Sequence, residues 1–180
     1  YRRQRQMCIR DSPDIHDRSH RIVMDLLSEY ENTGIVIQAA RHDSLMQVRE
    51  LAAPGRRIRL CKGSYTGPRS VTLIRPHDVD LRMAACLRAL MTGPSTVMLA
   101  SHDPVFVALG EQLMASLDRQ LEFQMLQGIR PLEQRRLVDI GHRMRVYLPY
   151  GHDWYRYCTR RIVERPGNIW LFGRSLVERR

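Results

Sequence analysis

The sequence alternates short apolar segments with segments of helical periodicity, and this alternation restricts the fold more than any other feature. The apolar segments are continuous and rich in β-branched residues, as expected of parallel strands that are buried on both faces. Five strands are predicted, at residues 34–38, 57–60, 96–100, 121–126 and 145–148. Repetition of this kind predicts βαβ units and a parallel sheet, which either a doubly wound sheet or a TIM barrel satisfies.

Helices are predicted around and between these strands, and the last one carries an unusual polar stripe. The ranges are 19–31, 44–53, 79–91, 105–117, 131–140 and a final stretch at 154–168. In that stretch Tyr157, Arg160, Arg161 and Glu164 stand at i, i+3, i+4 and i+7, within roughly 100° of the helix surface. Paired guanidinium groups are suited to bidentate capture of a carboxylate or a phosphate.

Length and charge indicate one basic domain without a clear nucleic-acid signature. The chain has 180 residues, enough for a core, and a formal net charge of +10. Residues 1–12, YRRQRQMCIRDS, lack periodicity and resemble a translated sequencing adapter, so they are treated as an artefact or as disordered. Without their four arginines and one aspartate the net charge is +7. The other arginines are spread along residues 13–180, whereas a nucleic-acid-binding surface more often forms a basic stripe.

Cysteine spacing and hydropathy exclude several other classes of protein. Cys61, Cys86 and Cys158 show no CxxC spacing, so neither a disulfide framework nor a metal site is expected. No apolar run approaches the roughly 20 residues of a membrane span. A cytoplasmic protein is therefore expected. Neither GxGxxG nor a P-loop is present.

Large hydrogen-bonding residues stand at or just after the end of every predicted strand. They are Gln38, Arg59 with Lys62, His102 with Asp103, Gln124 with Gln127, and Tyr147. In a TIM barrel the active site is built at these strand ends. A purely structural role stays open for three residues at this end of the strands or within them. Asp103 could be a helix cap, Lys62 a turn residue and Glu122 an ion-pair partner inside the barrel.

Six ordered motifs carry a resemblance to a known family. They are VIQAA (36–40), RIRLCKGSY (57–65), ASHD (100–103), EFQMLQGIRP (122–131), RVYLPYG (145–151) and YCTRRIVERPGN (157–168). Together they resemble strands four to eight and the final helix of the flavin-dependent proline dehydrogenases. The resemblance covers residues 20–175. Ser64 stands where the family usually has alanine, and Ser101 where it has threonine.

The resemblance implies a (βα)8 barrel that binds FAD and oxidises L-proline to Δ1-pyrroline-5-carboxylate by hydride transfer to flavin N5. Arg59 would be the catalytic residue near N5. The implied cofactor-binding residues are Gln38, Arg59, Lys62, Gly63, Ser64, Ser101 and His102. The implied proline-binding residues are Arg160 and Arg161, which would hold the carboxylate, with Glu164, Tyr157, Tyr147, Tyr65 and Leu126 around them.

Only five of the eight barrel strands have a counterpart, so the chain is predicted to be a partial (βα)8 TIM barrel, strands four to eight with their helices. Residues 13–180 are accordingly interpreted as the C-terminal part of the catalytic barrel. The family implies a quinone as the electron acceptor. The quinone would be met at the membrane surface, by a protein that is peripheral to the inner membrane. No nucleic-acid partner is implied. The oligomeric state stays open. Two other hypotheses were considered: a TIM-barrel aldolase that forms a Schiff base through Lys62, and a basic α/β module that binds nucleic acid.

Overall fold

A computed structural model of the chain describes residues 22–27, 29–30, 33–63 and 69–148. The strands are β1 (Gly34–Gln38), β2 (Arg57–Cys61), β3 (Thr96–Ala100), β4 (Leu121–Leu126) and β5 (Arg143–Tyr147). The helices between them are α1 (Ser44–Leu51), α2 (Pro76–Thr92), α3 (Pro104–Leu117) and α4 (Pro131–Asp139). Residues 22–27 and 29 are also helical.

The five strands form one parallel sheet whose spatial order is the order of the chain. This arrangement confirms the predicted α/β class and the five parallel strands, with helices between them. The largest differences from prediction lie at element ends. Helix α2 begins at Pro76, three residues early, because proline is pre-organised for the first helical turn. Strand β5 begins at Arg143, where it pairs with Glu122. The predicted helix at 154–168 lies outside the described residues.

The core lies between one face of the sheet and the helices. Alternate strand residues such as Ile37, Leu60, Leu99 and Phe123 pack against helix residues in a single cluster. Burying these side chains removes apolar surface from water, at about 25 cal/mol per Å². The helices therefore cover this face of the sheet and leave the opposite face for other contacts.

The opposite face of the sheet is polar, and it is called the inner face here. Its members alternate with the core residues along each strand. They are Val36 and Gln38 of β1, Arg57, Arg59 and Cys61 of β2, Met98 and Ala100 of β3, Glu122, Gln124 and Leu126 of β4, and Arg143, Arg145 and Tyr147 of β5. In a barrel this is the face that surrounds the axis.

Among the described residues, no helix is both long enough and apolar enough to cross a bilayer.

Candidate active site

The parallel register sets one row of side chains across the carboxyl end of the sheet, and two of the predicted strand-end residues, Gln38 and Gln124, belong to it. Gln38, Cys61, Ala100, Gln124 and Arg145 are successive partners across the five strands. The row therefore has an amide at β1 and another at β4, with two small side chains between them. Small side chains leave room above the sheet at this level.

Arg59 lies one row below, in register with Val36, Met98 and Glu122. Its Nε is buried and has no hydrogen-bond partner among the described residues. An unpaired buried donor costs about 1–3 kcal/mol, more for a charged group. The structure thus contains a buried cationic donor that a ligand acceptor would satisfy.

Gln38 and Gly63 approach each other closely where β1 and β2 end. Gly63 has φ +98°, and a Cβ at this position would lie 3.1 Å from Gln38 Oε1. A side chain is therefore disfavoured both by the backbone conformation and by the close contact. The Ala39 amide donates to the Cys61 carbonyl at 2.8 Å and the Ala40 amide to the Lys62 carbonyl at 3.0 Å. These bonds hold the two strand ends together around the buried Gln38 amide.

His102 is partly buried after the end of β3 and is fixed by a neighbouring strand. The Leu126 amide donates to His102 Nε2 at 2.8 Å. Burial, with the charges of Arg130 and Arg59 nearby, lowers the pKa of His102 from 6.5 to about 4. The ring is therefore neutral at physiological pH, with Nε2 as the acceptor and the proton on Nδ1.

Ser101 and Asp103 organise the turn on either side of His102. Ser101 is buried, and its hydroxyl accepts from the Asp103 amide at 3.2 Å. Asp103 caps α3 by accepting from the Val105 amide at 3.0 Å. The capping interpretation of Asp103 is therefore correct, and the cap also fixes the turn that carries His102.

Lys62 does more than occupy a turn. Its Nζ lies 2.8 Å from an Asp103 carboxylate oxygen and 2.6 Å from one of Asp80, and it stands 4.7 Å from the centre of the Phe106 ring. Burial alone would raise the pKa of Asp103, but the hydrogen bonds from Lys62 and from the Val105 amide outweigh it and hold that pKa below its ordinary value. Lys62 thus ties the end of β2 to α2 and α3.

Glu122 is the carboxylate of an ion cluster on the inner face. Arg145 contacts both of its oxygens, at 2.5 and 2.9 Å, the Gln124 amide donates at 2.7 Å, and Arg57 lies at 4.0 Å. Burial alone would raise the pKa of Glu122, but the hydrogen bonds from Arg145 and Gln124 hold it below its ordinary value. The interpretation of Glu122 as an ion-pair partner inside the barrel is therefore correct.

Leu126 and Tyr147 are the remaining predicted site residues that the structure describes. They end β4 and β5, face each other in register, and stand on the same edge as Gln38 and His102. Six other predicted site residues lie outside the described residues: Ser64, Tyr65, Tyr157, Arg160, Arg161 and Glu164. The expected carboxylate-binding pair therefore stays a prediction.

The structure also adds two residues that sequence reasoning did not identify. Asp80 holds Lys62, and the Arg130 Nη1 donates to the His102 carbonyl at 3.0 Å. In each pair the two residues lie far apart in the chain, so the periodicity of the sequence does not indicate the contact. The only local signal was the position of Arg130 immediately before the proline that opens α4.

Comparison with known proteins places these observations in a family. The family model for proline dehydrogenase matches residues 13–168. Proline dehydrogenase 1 of Bacillus subtilis is 36% identical over 174 residues, which cover 92% of this chain and 58% of that protein. The proline dehydrogenase of Deinococcus radiodurans is 34% identical over 148 residues, which cover 77% of this chain and 46% of that protein. The chain thus spans about half the length of these curated relatives.

A solved structure is also similar. Proline utilization A (PutA) from Bdellovibrio bacteriovorus, crystallised after inactivation by N-propargylglycine, superimposes with a TM-score of 0.77 at 26% identity. The match covers 85% of this chain and 19% of that one. PutA of Bradyrhizobium japonicum, with a TM-score of 0.70 at 21% identity, supports the fold alone. The five strands and the helices between them are accordingly part of a (βα)8 barrel, and the chain belongs to the proline dehydrogenase family.

Proposed function

We propose that this chain is part of an FAD-dependent enzyme that oxidises L-proline to Δ1-pyrroline-5-carboxylate, the first step of proline breakdown. The observation that carries the proposal is the family match over residues 13–168, which spans all five described strands. The chemistry of the strand ends supports it. Membership of this family argues against the aldolase and nucleic-acid hypotheses. The aldolase hypothesis needs Lys62 as a nucleophile, but this residue forms two ion pairs.

The described residues fit a planar cofactor with many hydrogen-bonding atoms. Arg59 offers a buried Nε donor that the described residues leave unpaired, Gln38 offers a buried amide, and His102 offers an Nδ1–H donor. Cys61 and Ala100 leave space on the row above Arg59. Arg59, Gln38 and His102 would hold the flavin, with Gly63 and Ser101 supporting the strand ends that carry them.

FAD, when bound, would supply the hydride-accepting chemistry, taking two electrons and one hydrogen from the C5–H bond of proline at flavin N5. The protein has to hold that carbon over the ring and exclude water. Arg59, near N5, would stabilise the negative charge that develops on reduction. Leu126 and Tyr147 would border the proline ring, because they share the edge of the sheet with His102.

We further propose that Arg160 and Arg161 hold the proline carboxylate, that Glu164 braces the pair, and that Tyr65 and Tyr157 complete the pocket. Ser64 would lie against the cofactor. Two guanidinium groups on one carboxylate orient the substrate and discriminate against amines without the acid. A quinone would then reoxidise the flavin.

We infer that residues 13–180 are the C-terminal part of the barrel and that three upstream strands complete it. A (βα)8 barrel needs eight strands, and the described residues form five. The share of the Bacillus subtilis relative that is matched, 58%, is consistent with this inference. For the experiments below, a complete barrel means this chain supplied with the upstream strands of that relative.

The deciding experiment is the visible absorption spectrum of the complete barrel, recorded anaerobically before and after addition of L-proline. We expect a flavin spectrum that is bleached by L-proline and that survives addition of an amine without the carboxylate, such as pyrrolidine. A colourless complete barrel would overturn the cofactor assignment. A flavin that L-proline leaves oxidised would overturn the substrate assignment.

The role of the arginine pair is tested by Arg161→Met in the same barrel. We expect a higher KM for proline with FAD still bound, because the variant loses one half of the carboxylate-binding site. Unchanged kinetics would remove the carboxylate role.

A further inference from the structure

Arg130 occupies an unusual backbone position beside the candidate site. It precedes α4 with φ 52° and ψ 55°, in the left-handed region, where a residue without glycine's freedom is strained. Its guanidinium points back across the strand ends: Nη1 donates to the His102 carbonyl at 3.0 Å, and Nη2 lies 3.8 Å from Glu133. The proposed reaction gives this residue no role.

His102 is held from a second side by the strand that leads to Arg130. The Leu126 amide donates to His102 Nε2 at 2.8 Å. A ring nitrogen that accepts a hydrogen bond cannot carry a proton, so the proton of the neutral ring is on Nδ1. The backbone of His102 is thus held by the residue at the start of α4, and its ring by the residue at the end of β4.

We propose that Arg130 is a positioning residue of the active site, which acts with the Leu126 amide to hold His102 as an Nδ1–H donor for a ligand acceptor. The contacts join the turn after β3 to the turn after β4. They thereby connect His102, a proposed cofactor-binding residue, to Leu126, a proposed proline-binding residue. The identity of the acceptor as FAD rests on the proposed function, whereas the two-sided hold on His102 does not.

The surroundings of His102 support the same arrangement. Within the part of the chain that the structure describes, the hydrogen bonds of the His102 ring and carbonyl are those with Leu126 and Arg130. Neither of these bonds uses Nδ1–H, so that donor can serve a partner outside the described residues. The positive charge of Arg130, like that of Arg59, also disfavours a second proton on the ring.

The test compares Arg130→Met with Arg130→Lys in the complete barrel, and uses Arg135→Met as the matched control. Arg135 is an exposed arginine of the same helix without a hydrogen bond among the described contacts. The first measurement is hydrogen exchange of the Leu126 amide, without FAD. We expect Arg130→Met to speed this exchange about tenfold, the scale of one charge-assisted hydrogen bond, while the amides of Ile58 and Leu99 keep their rates.

The second measurement is the ¹⁵N spectrum of the His102 ring. Arg130→Met should turn a single Nδ1–H form into a mixture of the two tautomers, and Arg130→Lys should restore the single form in part. An unchanged Leu126 exchange rate together with one tautomer in Arg130→Met would overturn the proposal. Equal acceleration at Leu126, Ile58 and Leu99 would also overturn it, because that result indicates a general loss of stability.

The third measurement is FAD affinity, which separates this inference from the proposed function. Arg130→Met should weaken FAD binding about tenfold relative to Arg135→Met. If the unmodified barrel binds no FAD, the proposed function fails while the exchange and tautomer results still decide the role of Arg130.

Discussion

Among single residues, His102 links the site to the pH dependence of stability. Its pKa is lowered in the folded protein to about 4 from an ordinary 6.5. The unfolded chain therefore binds the proton more readily, and stability falls as the pH drops from 6.5 towards 4. We expect a loss of up to about 3 kcal/mol across this window.

Urea unfolding of the complete barrel at a series of pH values measures this loss. The His102→Asn variant is the control, because it has no titrating ring and should lose the slope between pH 6.5 and 5. The carboxylates whose pKa values are lowered, such as Asp103 and Glu122, act at lower pH. A His102→Asn variant that keeps the full slope would contradict the assignment.

Arg59 permits a prediction about catalysis at the same scale. Because its buried Nε has no partner among the described residues, that donor is available to a ligand. Arg59→Met should slow flavin reduction by proline about a hundredfold, the usual cost of one stabilising donor, and change proline binding much less. Stopped-flow absorption in the complete barrel measures both quantities.

Arg49→Met is the matched control for this experiment, since Arg49 is exposed on α1, away from the strand ends. The assignment of Arg59 to N5 would be refuted by a variant that binds proline poorly but reduces flavin at the normal rate.

Residues differ in how far the sequence alone predicts them. Gln38 ends an apolar strand and His102 follows one, so their place at the carboxyl edge of the sheet could be predicted from the pattern and the motifs, whereas Arg59 lies one row below that edge. Arg130 could not, because its partner is 28 residues away and the contact depends on a left-handed turn. Likewise, the pairing of Lys62 with Asp80 depends on where α2 begins.

Among the elements, the turn between α2 and β3 depends on one side chain from another segment. Arg119 donates to the carbonyls of Met91 at 2.7 Å and Ser95 at 2.8 Å, and also to that of Gly93. The final carbonyls of a helix have no partner within the helix, and this guanidinium adds to the local capping bond from the Gly93 amide to the Leu90 carbonyl. The link was not visible in the sequence, because Arg119 lies 24 to 28 residues from the Ser95 and Met91 carbonyls.

We expect Arg119→Gln to reduce the free energy of unfolding by about 2 kcal/mol, because one amide cannot satisfy these carbonyls. Arg88→Gln, on the exposed face of α2, is the control and should change stability little. Denaturant unfolding of both variants measures the difference. Equal stability of the two would show that water replaces the arginine without cost.

Helix α3 lies unusually close to the sheet at Gly110. A Cβ there would stand 3.1 Å from the Phe123 ring and 3.2 Å from Leu99, both of which are buried. Alanine normally stabilises a helix relative to glycine. Here both neighbours belong to the packed core, so we expect Gly110→Ala to destabilise the protein by about 1–3 kcal/mol.

Thermal unfolding compares Gly110→Ala with Gln112→Ala, which puts alanine on the exposed side of the same helix. The control should be neutral. A Gly110→Ala protein with a raised melting temperature would mean that helix and sheet can separate slightly.

At the scale of the whole molecule, the sheet has two outer strands. Within the described residues, β1 and β5 each pair on one side only. Unpaired edges attract other strands. We expect the 180-residue chain alone to self-associate with rising concentration, and the complete barrel to do so much less.

Size-exclusion chromatography with light scattering measures this difference over a range of concentrations. A chain that stays monomeric without the upstream strands would contradict the inference that they complete the sheet.

The overall architecture was the most predictable level. Apolar strands bounded by proline and glycine made the order of elements readable, and the motifs made the family readable. The ion pairs of the inner face were less predictable from the sequence. Glu122 and Arg145 are separated by 23 residues, and they meet diagonally, because the register puts Arg145 beside Gln124 on the neighbouring strand.

The strand order has a consequence for how the protein forms. Because each strand pairs with the next one along the chain, every strand can dock on a unit that has already been synthesised. Contacts between successive units close short loops, which favours fast folding. In a complete barrel, the contact between the first and last strands spans the greatest length of chain, so we expect barrel closure to be the slow step of folding. During synthesis, the last strand would leave the ribosome only after all the other strands had been able to pair with a neighbour.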